Sequence, residues 1–233
     1  MCDQAKAEEY LTFAHDIYED SPLPVGCEKL YENVTEGMPD RFVVYKTLDG
    51  RAVFTFKGTT SQREWLSDAE MWLVPNTLGK GHVHRGFLEV YESMRPQLTD
   101  VWRQVVDEDL KVVATGHSLG AGLATLFAYE YAPRCESLYL FGAPAVTADK
   151  IFSDDLDCTG IEICNIQNNL DPVCKFAPLT DYYPVGQVFH TNISWSEALE
   201  DVCCGLREFN MLYFHQTHVY KELLRNGTVL MPK

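Results

Sequence analysis

Residues 111–131 read KVVATGHSLGAGLATLFAYEY, and this stretch decides the fold. The segment from Lys111 to Thr115 is a short β-branched run that is typical of a buried strand. The segment from Leu119 to Tyr131 is dense in alanine and leucine, which predicts a helix packed closely on a sheet. Between them, glycines flank a serine in Gly116-His117-Ser118-Leu119-Gly120. The pattern therefore predicts a strand, a sharp turn and a helix in direct succession.

Ser118 at this turn is predicted to be a nucleophile. In Gly-x-Ser-x-Gly the serine occupies a strained turn where larger flanking residues would collide with the backbone, and Gly116 and Gly120 remove those collisions. The turn projects the serine Oγ above the sheet, and N–H groups at the helix start, beginning with Leu119, can bind an oxyanion. The alternative is a chance glycine-rich turn. The strand before it and the helix after it favour the nucleophile.

Strand and helix patterns alternate along the whole chain, which indicates an α/β fold. Two runs rich in valine and phenylalanine flank Asp49-Gly50 and predict a β-hairpin. The other predicted elements are helices over Glu8 to Tyr18, Glu89 to Val106 and about Thr217 to Arg225, with strands over Ser137 to Phe141 and Ile161 to Ile166. No linker or repeat divides them, so residues 1–233 are expected to form one domain.

Composition limits the partners of the chain. It carries 19 basic and 34 acidic residues, and the net charge of −15 repels nucleic acid and anionic membrane surfaces. No segment reads as a transmembrane span. The eight cysteines lack the C-x-x-C spacing and flanking histidines of a zinc site, so no metal is expected. The oligomeric state and the redox state of the cysteines stay open.

The location of the protein has two readings. The first twenty residues carry charges throughout and lack the apolar core of a signal peptide, which favours an intracellular protein. Three N-x-S/T sequons, at Asn33, Asn192 and Asn226, would instead suit a secreted chain whose signal had been removed. The eight cysteines are compatible with either compartment.

Several blocks of sequence resemble the class 3 lipases, the family of the fungal triacylglycerol lipases and their feruloyl esterase and phospholipase relatives. The resemblance covers about residues 8 to 225. The matching blocks are FKGTT at 56–60, WLSD at 65–68, VHRGF at 83–87 and the stretch 112–128, extended by FGAP at 141–144. It implies an α/β-hydrolase fold, in which helices flank a mostly parallel central sheet and a short helical lid covers the site.

In this fold the catalytic acid and base follow the nucleophile in sequence. Asp171 comes just after a predicted strand, and its surroundings resemble the family's Asn-x-x-Asp-x-Val-Pro, which makes it the acid. Cys174 stands where the family usually has proline. The alternative is that Asp171 only caps a turn before Pro172. The aspartates at 149, 154, 155 and 157 are interpreted as solvated loop carboxylates.

Three histidines follow the acid and compete for the role of base. His190 lies in an apparent strand and is interpreted as structural. The family's histidine precedes the last helix, with an aromatic residue five places later, and His215 with Tyr220 has that spacing. His218 would fall inside the helix if Thr217 caps it. Because His218 is only three residues away, it stays an alternative. Upstream, His84 and His117 are interpreted as hydrogen-bonded supports near the site.

The resemblance further implies an oxyanion hole made by the backbone N–H groups of Leu119 and Thr59, with the Thr59 hydroxyl as a third donor. A lid is expected over about residues 61–76, because Trp65, Ala69 and Trp72 share one helical face there. The alternative is that these apolar residues belong to the core.

The implied activity is hydrolysis of acyl-glycerol or other lipid-like esters through an acyl-enzyme on Ser118, with a lipid ester at an oil–water interface as the substrate. Neither a metal nor a cofactor is needed for this chemistry. The alternatives are a feruloyl esterase or phospholipase on the same scaffold, or a lipase-like interaction protein without turnover.

Overall fold

The computed structural model describes residues 2–19, 24–33, 42–58, 72–175, 183–191, 211–226 and 231–232. Within these ranges the helices are α1 (Gln4–Glu19), α2 (Arg85–Asp107), α3 (Leu119–Glu130), α4 (Lys150–Asp157) and α5 (Thr217–Arg225), with short 3-10 helices at Val173–Lys175 and Met211–His215. The strands are β1 (Glu28–Glu32), β2 (Phe42–Lys46), β3 (Arg51–Phe56), β4 (Leu73–Pro75), β5 (His82–His84), β6 (Lys111–His117), β7 (Cys135–Phe141), β8 (Glu162–Asn168), β9 (Gln187–Thr191) and β10 (Met231–Pro232).

Eight of the described strands form one sheet in the order β1-β2-β3-β6-β7-β8-β9-β10. The pairs from β3 to β9 are parallel, whereas β1 with β2, β2 with β3 and β9 with β10 are antiparallel. Parallel neighbours need a crossover connection, and α2, α3 and α4 provide the crossovers between β3 and β8. The mostly parallel central sheet predicted from the sequence is confirmed.

Helices cover both faces of this sheet. Along β6, Val112 and Ala114 join the buried cluster on one face, whereas Val113 joins the cluster on the other, as the two-residue period of a strand requires. The first cluster includes residues of α2, α3 and α4, and the second includes residues of α1 and α5. The sheet is therefore buried on both sides.

The elements around residues 111–131 match their prediction closely. β6 ends at His117 and α3 begins at Leu119, so Ser118 alone forms the turn between them. The predicted hairpin is also present, as β2 and β3. α2 begins at Arg85, four residues before the predicted start, because the Nδ1 of His84 accepts a hydrogen bond from the Gly86 N–H at 3.1 Å and caps the helix.

The last part of the segment predicted as a lid, about residues 61–76, is a strand, and the lid itself stays a prediction. Leu73–Pro75 form β4 and pair with β5, with Val74 opposite Val83, so they are extended rather than helical. Trp72, just before β4, keeps 64% of its surface exposed. Residues 59–71, which include Trp65 and Ala69, lie outside the described residues.

The acidic stretch near residue 150 is a helix rather than a solvated loop. Asp149 caps α4, and its carboxylate accepts a hydrogen bond from the Ile151 N–H at 2.8 Å. Phe152 and Leu156, one turn apart, are buried in the core beneath it. The apolar pair therefore stabilises a helix whose outer face carries the acidic residues.

The structure shows a disulfide and the surroundings of the first sequon asparagine. Cys2 and Cys164 form a disulfide that ties the residues before α1 to β8. Asn33, the first sequon asparagine, is buried, and its side chain accepts a hydrogen bond from the Phe42 N–H. A glycan is attached through Nδ2, so this buried side chain would have to become exposed to carry one. Among the described residues, no helix is both long enough and apolar enough to cross a bilayer.

Candidate active site

Ser118 occupies a strained turn at the C-terminal edge of the sheet. Its backbone has φ 59° and ψ −130°, and among the described non-glycine residues only Asp109 shares a positive φ. Such a conformation costs free energy for any residue with a Cβ, so surrounding contacts must impose it. One of them is the hydrogen bond from the Ser118 N–H to the Phe141 carbonyl, at 3.0 Å. Leu119 begins α3, so its N–H has no partner inside the helix.

The flanking glycines allow three backbone segments to meet at this turn. A Cβ on Gly120 would lie 2.1 Å from the Phe56 carbonyl oxygen, and one on Gly116 would lie 2.3 Å from the Gly120 carbonyl oxygen. Atoms do not approach this closely without a collision. The collisions predicted from the pentapeptide are therefore present at both glycines, and they involve the ends of β3, β6 and α3.

Asp171 and His215 are in contact. The Nδ1 of His215 lies 2.7 Å from the Oδ2 of Asp171, and both side chains are fully buried. Because a carboxylate only accepts hydrogen bonds, this ring nitrogen carries the hydrogen. The Oδ1 of Asp171 accepts the Val173 N–H at 2.8 Å. Asp171 therefore caps the turn before Pro172 and binds the histidine as well, each with a different oxygen.

Gly142 brings this pair next to Ser118. It directly follows Phe141, which accepts the hydrogen bond from Ser118, and its φ is +58°. A Cβ on Gly142 would lie 3.0 Å from the Oδ2 of Asp171 and 3.1 Å from the Nδ1 of His215. The segments that follow β6, β7 and β8 thus converge at the edge of the sheet where α/β proteins bind their ligands.

The second ring nitrogen of His215, Nε2, is the reactive candidate of the pair. It is buried, and it has no hydrogen-bond partner among the described residues. A buried imidazole nitrogen without a partner is costly, which is typical of groups that await a substrate or a proton. His218 lies elsewhere, on α5, with its ring 5.6 Å from the ring of Tyr213. His190 lies in β9, as its sequence context predicted.

Tyr220 and Cys174 surround the carboxylate of Asp171, and the sequence assigned a role to neither. The Tyr220 hydroxyl donates to Oδ2 at 2.6 Å and accepts the Asn168 N–H at 3.0 Å. The Cys174 Sγ lies 3.4 Å from the same Oδ2. Burial raises the pKa of Tyr220 well above its ordinary value, and the nearby charge of Asp171 raises it further. The five-residue spacing from His215 pointed to Tyr220. Its contact with Asp171, however, becomes visible only in the folded structure.

His117 supports His215 from the side. The two rings lie 4.5 Å apart, and the Nε2 of His117 donates a hydrogen bond to the backbone carbonyl of His215 at 2.6 Å. Burial lowers the pKa of His117 well below its ordinary value, and the charge of a protonated His215 would lower it further. His117 is therefore a neutral support that keeps the 3-10 helix before α5 against the nucleophile turn.

Two of the residues predicted for the site, Thr59 and Trp65, lie outside the described residues. Among the residues that the structure describes, no group of three or more histidine, cysteine, aspartate or glutamate side chains is arranged to hold a metal ion.

The sequence profile described as Lipase (class 3) matches residues 53–181, which is more than half of the chain. The chain belongs to the class 3 lipase family. The chain is 27% identical over 224 residues to phospholipase A1-II 6 of Oryza sativa subsp. japonica, a match that covers 77% of this chain and 53% of the rice protein. It is 33% identical over 135 residues to the lipase of Rhizomucor miehei, covering 53% of this chain and 36% of the fungal protein.

A solved structure supports the fold of this class 3 lipase. The Rhizomucor miehei lipase in its propeptide complex superimposes with a TM-score of 0.70 and 23% identity, covering 80% of this chain and 68% of that chain. The α/β-hydrolase fold implied by the sequence resemblance is therefore confirmed. The chain spans about half the length of the rice relative and about a third of the fungal sequence relative.

Proposed function

We propose that this protein is a serine carboxylic-ester hydrolase that cleaves lipid-like esters through an acyl-enzyme on Ser118. The observation that carries the proposal is the fully buried hydrogen bond between Asp171 and His215, 2.7 Å long, beside the strained turn of Ser118. A serine, a histidine and an aspartate in this relation are the groups that acyl transfer needs.

In the proposed cycle, the Nε2 of His215 removes the proton of the Ser118 Oγ as that oxygen attacks the ester carbonyl. Asp171 holds the imidazole through Nδ1 and stabilises its positive charge, without itself taking the proton. His215 then gives the proton to the leaving alcohol. A water molecule attacks the acyl-enzyme with the same base, which releases the acid and restores Ser118.

The oxyanion of each tetrahedral intermediate would be held by the N–H of Leu119 and the N–H and hydroxyl of Thr59. Each such donor is worth about 3 kcal/mol of transition-state stabilisation. These groups, with the serine and the histidine, supply every role in the cycle, so the proposal assigns none to a metal or cofactor.

The proposed substrate is an acyl-glycerol or another lipid ester at a lipid–water interface. The names of the relatives support this class, since one is a lipase and one a phospholipase A1. The rice relative makes phospholipid the second candidate. The net charge of −15 favours uncharged or zwitterionic surfaces over anionic ones.

The proposal treats residues 1–233 as one catalytic domain. A lid would then lie within about residues 61–76, with Trp65 as an apolar side chain over the acyl groove. The strand β4, which begins at Leu73, would form the C-terminal part of this segment.

The test is ester turnover and fluorophosphonate labelling of the wild-type protein and of Ser118→Ala, His215→Ala and His218→Ala. We expect Ser118→Ala to lose both activities and His215→Ala to lower kcat by about 10³-fold or more, because the base is gone. His218→Ala is the matched control and should keep kcat within about twofold, since its ring points to Tyr213.

Two results would contradict the proposal. One is a wild-type protein that hydrolyses no ester and does not react with the probe. The other is a His215→Ala variant that retains turnover while His218→Ala loses it. A panel of p-nitrophenyl esters of increasing chain length, beside feruloyl and phospholipid substrates, then separates the lipase, feruloyl esterase and phospholipase alternatives.

A further inference from the structure

The hydroxyl of Tyr18, near the end of α1, connects two backbone segments at the candidate active site. It accepts a hydrogen bond from the Gly58 N–H at 2.8 Å and donates to the His117 carbonyl at 3.4 Å. Its partners come from different strands, because Gly58 lies just beyond β3 and His117 ends β6. One oxygen atom therefore links three segments that are distant in sequence.

The two peptide groups that Tyr18 binds are adjacent to reactive positions. His117 directly precedes Ser118, the proposed nucleophile, and Gly58 directly precedes Thr59, the proposed oxyanion donor. A rotation of either peptide group would therefore move a reacting atom. Acyl transfer is sensitive to such movement, since a misplacement of about 1 Å costs on the order of 100-fold in rate.

The junction leaves no space for a side chain at Gly58. A Cβ on Gly58 would lie 2.4 Å from the Tyr18 hydroxyl oxygen and 2.9 Å from the His117 carbonyl oxygen. The ring of Tyr18 also stands edge-on to the ring of His117, with 6.1 Å between centroids, and the Nζ of Lys57 lies 5.7 Å from the centre of the Tyr18 ring. Packing thus fixes the ring, and the ring fixes the hydroxyl.

We infer that Tyr18 is a positioning residue, whose hydroxyl fixes the Gly58 N–H and the His117 carbonyl relative to each other beside Ser118. It touches neither the substrate nor the reacting atoms, and it acts through the two peptide groups. The inference rests on the proposed ester hydrolysis and adds a role for α1.

The role predicts a loss that is specific to the transition state. Without the hydroxyl, the Gly58 N–H loses its acceptor and the loop can relax away from Ser118. Tyr18 acts on the oxyanion side of the site, and the oxyanion forms only during reaction, so ground-state binding should change little. Loss of a residue that merely stabilised the fold would lower the melting temperature without lowering kcat selectively.

The experiment compares Tyr18→Phe with Tyr129→Phe. The control is closely matched, because the Tyr129 hydroxyl also accepts a backbone N–H, that of Lys80, at 2.8 Å, and donates to Asp155 at 2.6 Å. Tyr129 lies ten residues after Leu119 on α3, which is about 15 Å along the helix axis. Both variants lose one hydroxyl and keep the ring.

Three quantities are measured for each protein: kcat, KM for a p-nitrophenyl ester, and Ki for a trifluoromethyl ketone. The ketone adds to the Ser118 Oγ, the serine proton passes to His215, and the carbonyl oxygen becomes the oxyanion. For Tyr18→Phe we expect kcat to fall about 10- to 100-fold, KM to stay within about twofold and Ki to rise by the same factor as kcat falls. Tyr129→Phe should keep kcat and Ki within about twofold of the wild type.

The positioning role is overturned if wild-type protein is active and Tyr18→Phe loses no more kcat than Tyr129→Phe, or if KM rises while Ki stays unchanged. A wild-type protein that hydrolyses no ester contradicts the proposed function instead, and the positioning role with it.

Melting curves ensure that all assays run on folded protein. Should Tyr18→Phe fail to fold, 4-aminophenylalanine at position 18 replaces it, because its amine still donates to the His117 carbonyl but accepts the Gly58 N–H poorly.

Discussion

At the scale of single residues, Asp171 is the most constrained group of the site. Its Oδ2 meets the His215 ring, the Tyr220 hydroxyl and the Cys174 thiol, and its Oδ1 accepts the Val173 N–H. A carboxylate with partners on both oxygens has one orientation, and the imidazole bound to it inherits that orientation. The histidine is thus held for proton transfer before any substrate arrives, which lowers the reorganisation that the reaction requires.

Gly142→Ala tests how tightly this pair is packed. The new Cβ would press on the Oδ2 of Asp171 and the ring of His215, at about 3 Å from each, so the imidazole must move. We expect kcat to fall about tenfold or more. The positive φ of Gly142 should also lower the unfolding free energy by about 1–2 kcal/mol.

The control for this change is Gly160→Ala. Gly160 has a φ of +83°, but an added Cβ there would meet nothing within 4 Å. It should therefore show a similar loss of stability from backbone strain and no loss of kcat. Equal kcat values for the two alanine variants, measured on folded protein, would be incompatible with a tight contact between Gly142 and the pair.

The residues of the site were predictable from sequence to the extent that their signals are local. The turn of Ser118 follows from its own pentapeptide. The choice between His215 and His218 depends on which ring points toward Asp171, and spacing along the chain does not determine this. Tyr18 carries no local signal, because its hydroxyl acts on Gly58, 40 residues away.

At the scale of elements, helix caps and strand pairing explain where the predictions failed. An acidic run concealed α4, although the cap at Asp149 and the buried Phe152 and Leu156 give it an amphipathic period. The three residues of β4 are too few to distinguish a strand from a helical face by periodicity. Their pairing with β5 makes them a strand. Such pairing depends on how the chain folds back, which the local sequence pattern does not show.

Asp149→Ala should weaken α4 and the whole domain with it. The carboxylate accepts the Ile151 N–H at the helix start and lies 2.8 Å from the Nδ1 of His82. Loss of such a cap costs about 1 kcal/mol of unfolding free energy. Urea denaturation measures the effect. Asp154→Ala removes an exposed carboxylate of the same helix, 3.9 Å from Lys150, and should cost less than about 0.5 kcal/mol. Equal losses would argue against the cap.

At the scale of the whole molecule, the buried histidines make the free energy of unfolding depend on pH. Burial lowers the pKa of His117 and of His84 below the ordinary value of 6.5. The folded protein therefore keeps these rings neutral at a pH where the unfolded chain takes up protons. Stability is unaffected above pH 6.5 and falls as the pH drops below it, until the lowered pKa of the folded state is reached.

The pH dependence can be checked with His117→Gln, which retains an amide donor for the His215 carbonyl and cannot be protonated. Each such histidine adds up to about 1.4 kcal/mol per pH unit to the loss of stability below pH 6.5. Unfolding free energies at pH 8 and pH 5 should therefore differ less in His117→Gln than in the wild-type protein. If the unfolding free energies of the two proteins changed equally between pH 8 and pH 5, the lowered pKa of His117 would be refuted.

The disulfide between Cys2 and Cys164 makes a closed covalent ring of the chain from residue 2 to residue 164. Ser118 lies within the ring, whereas Asp171 and His215 lie on the tail that leaves it. A protease that cuts once inside the ring, for instance in residues 59–71, leaves all three groups on one covalently joined molecule. A single cut between Cys164 and Asp171 instead places the acid and the base on a fragment that the disulfide between Cys2 and Cys164 does not join to the nucleophile.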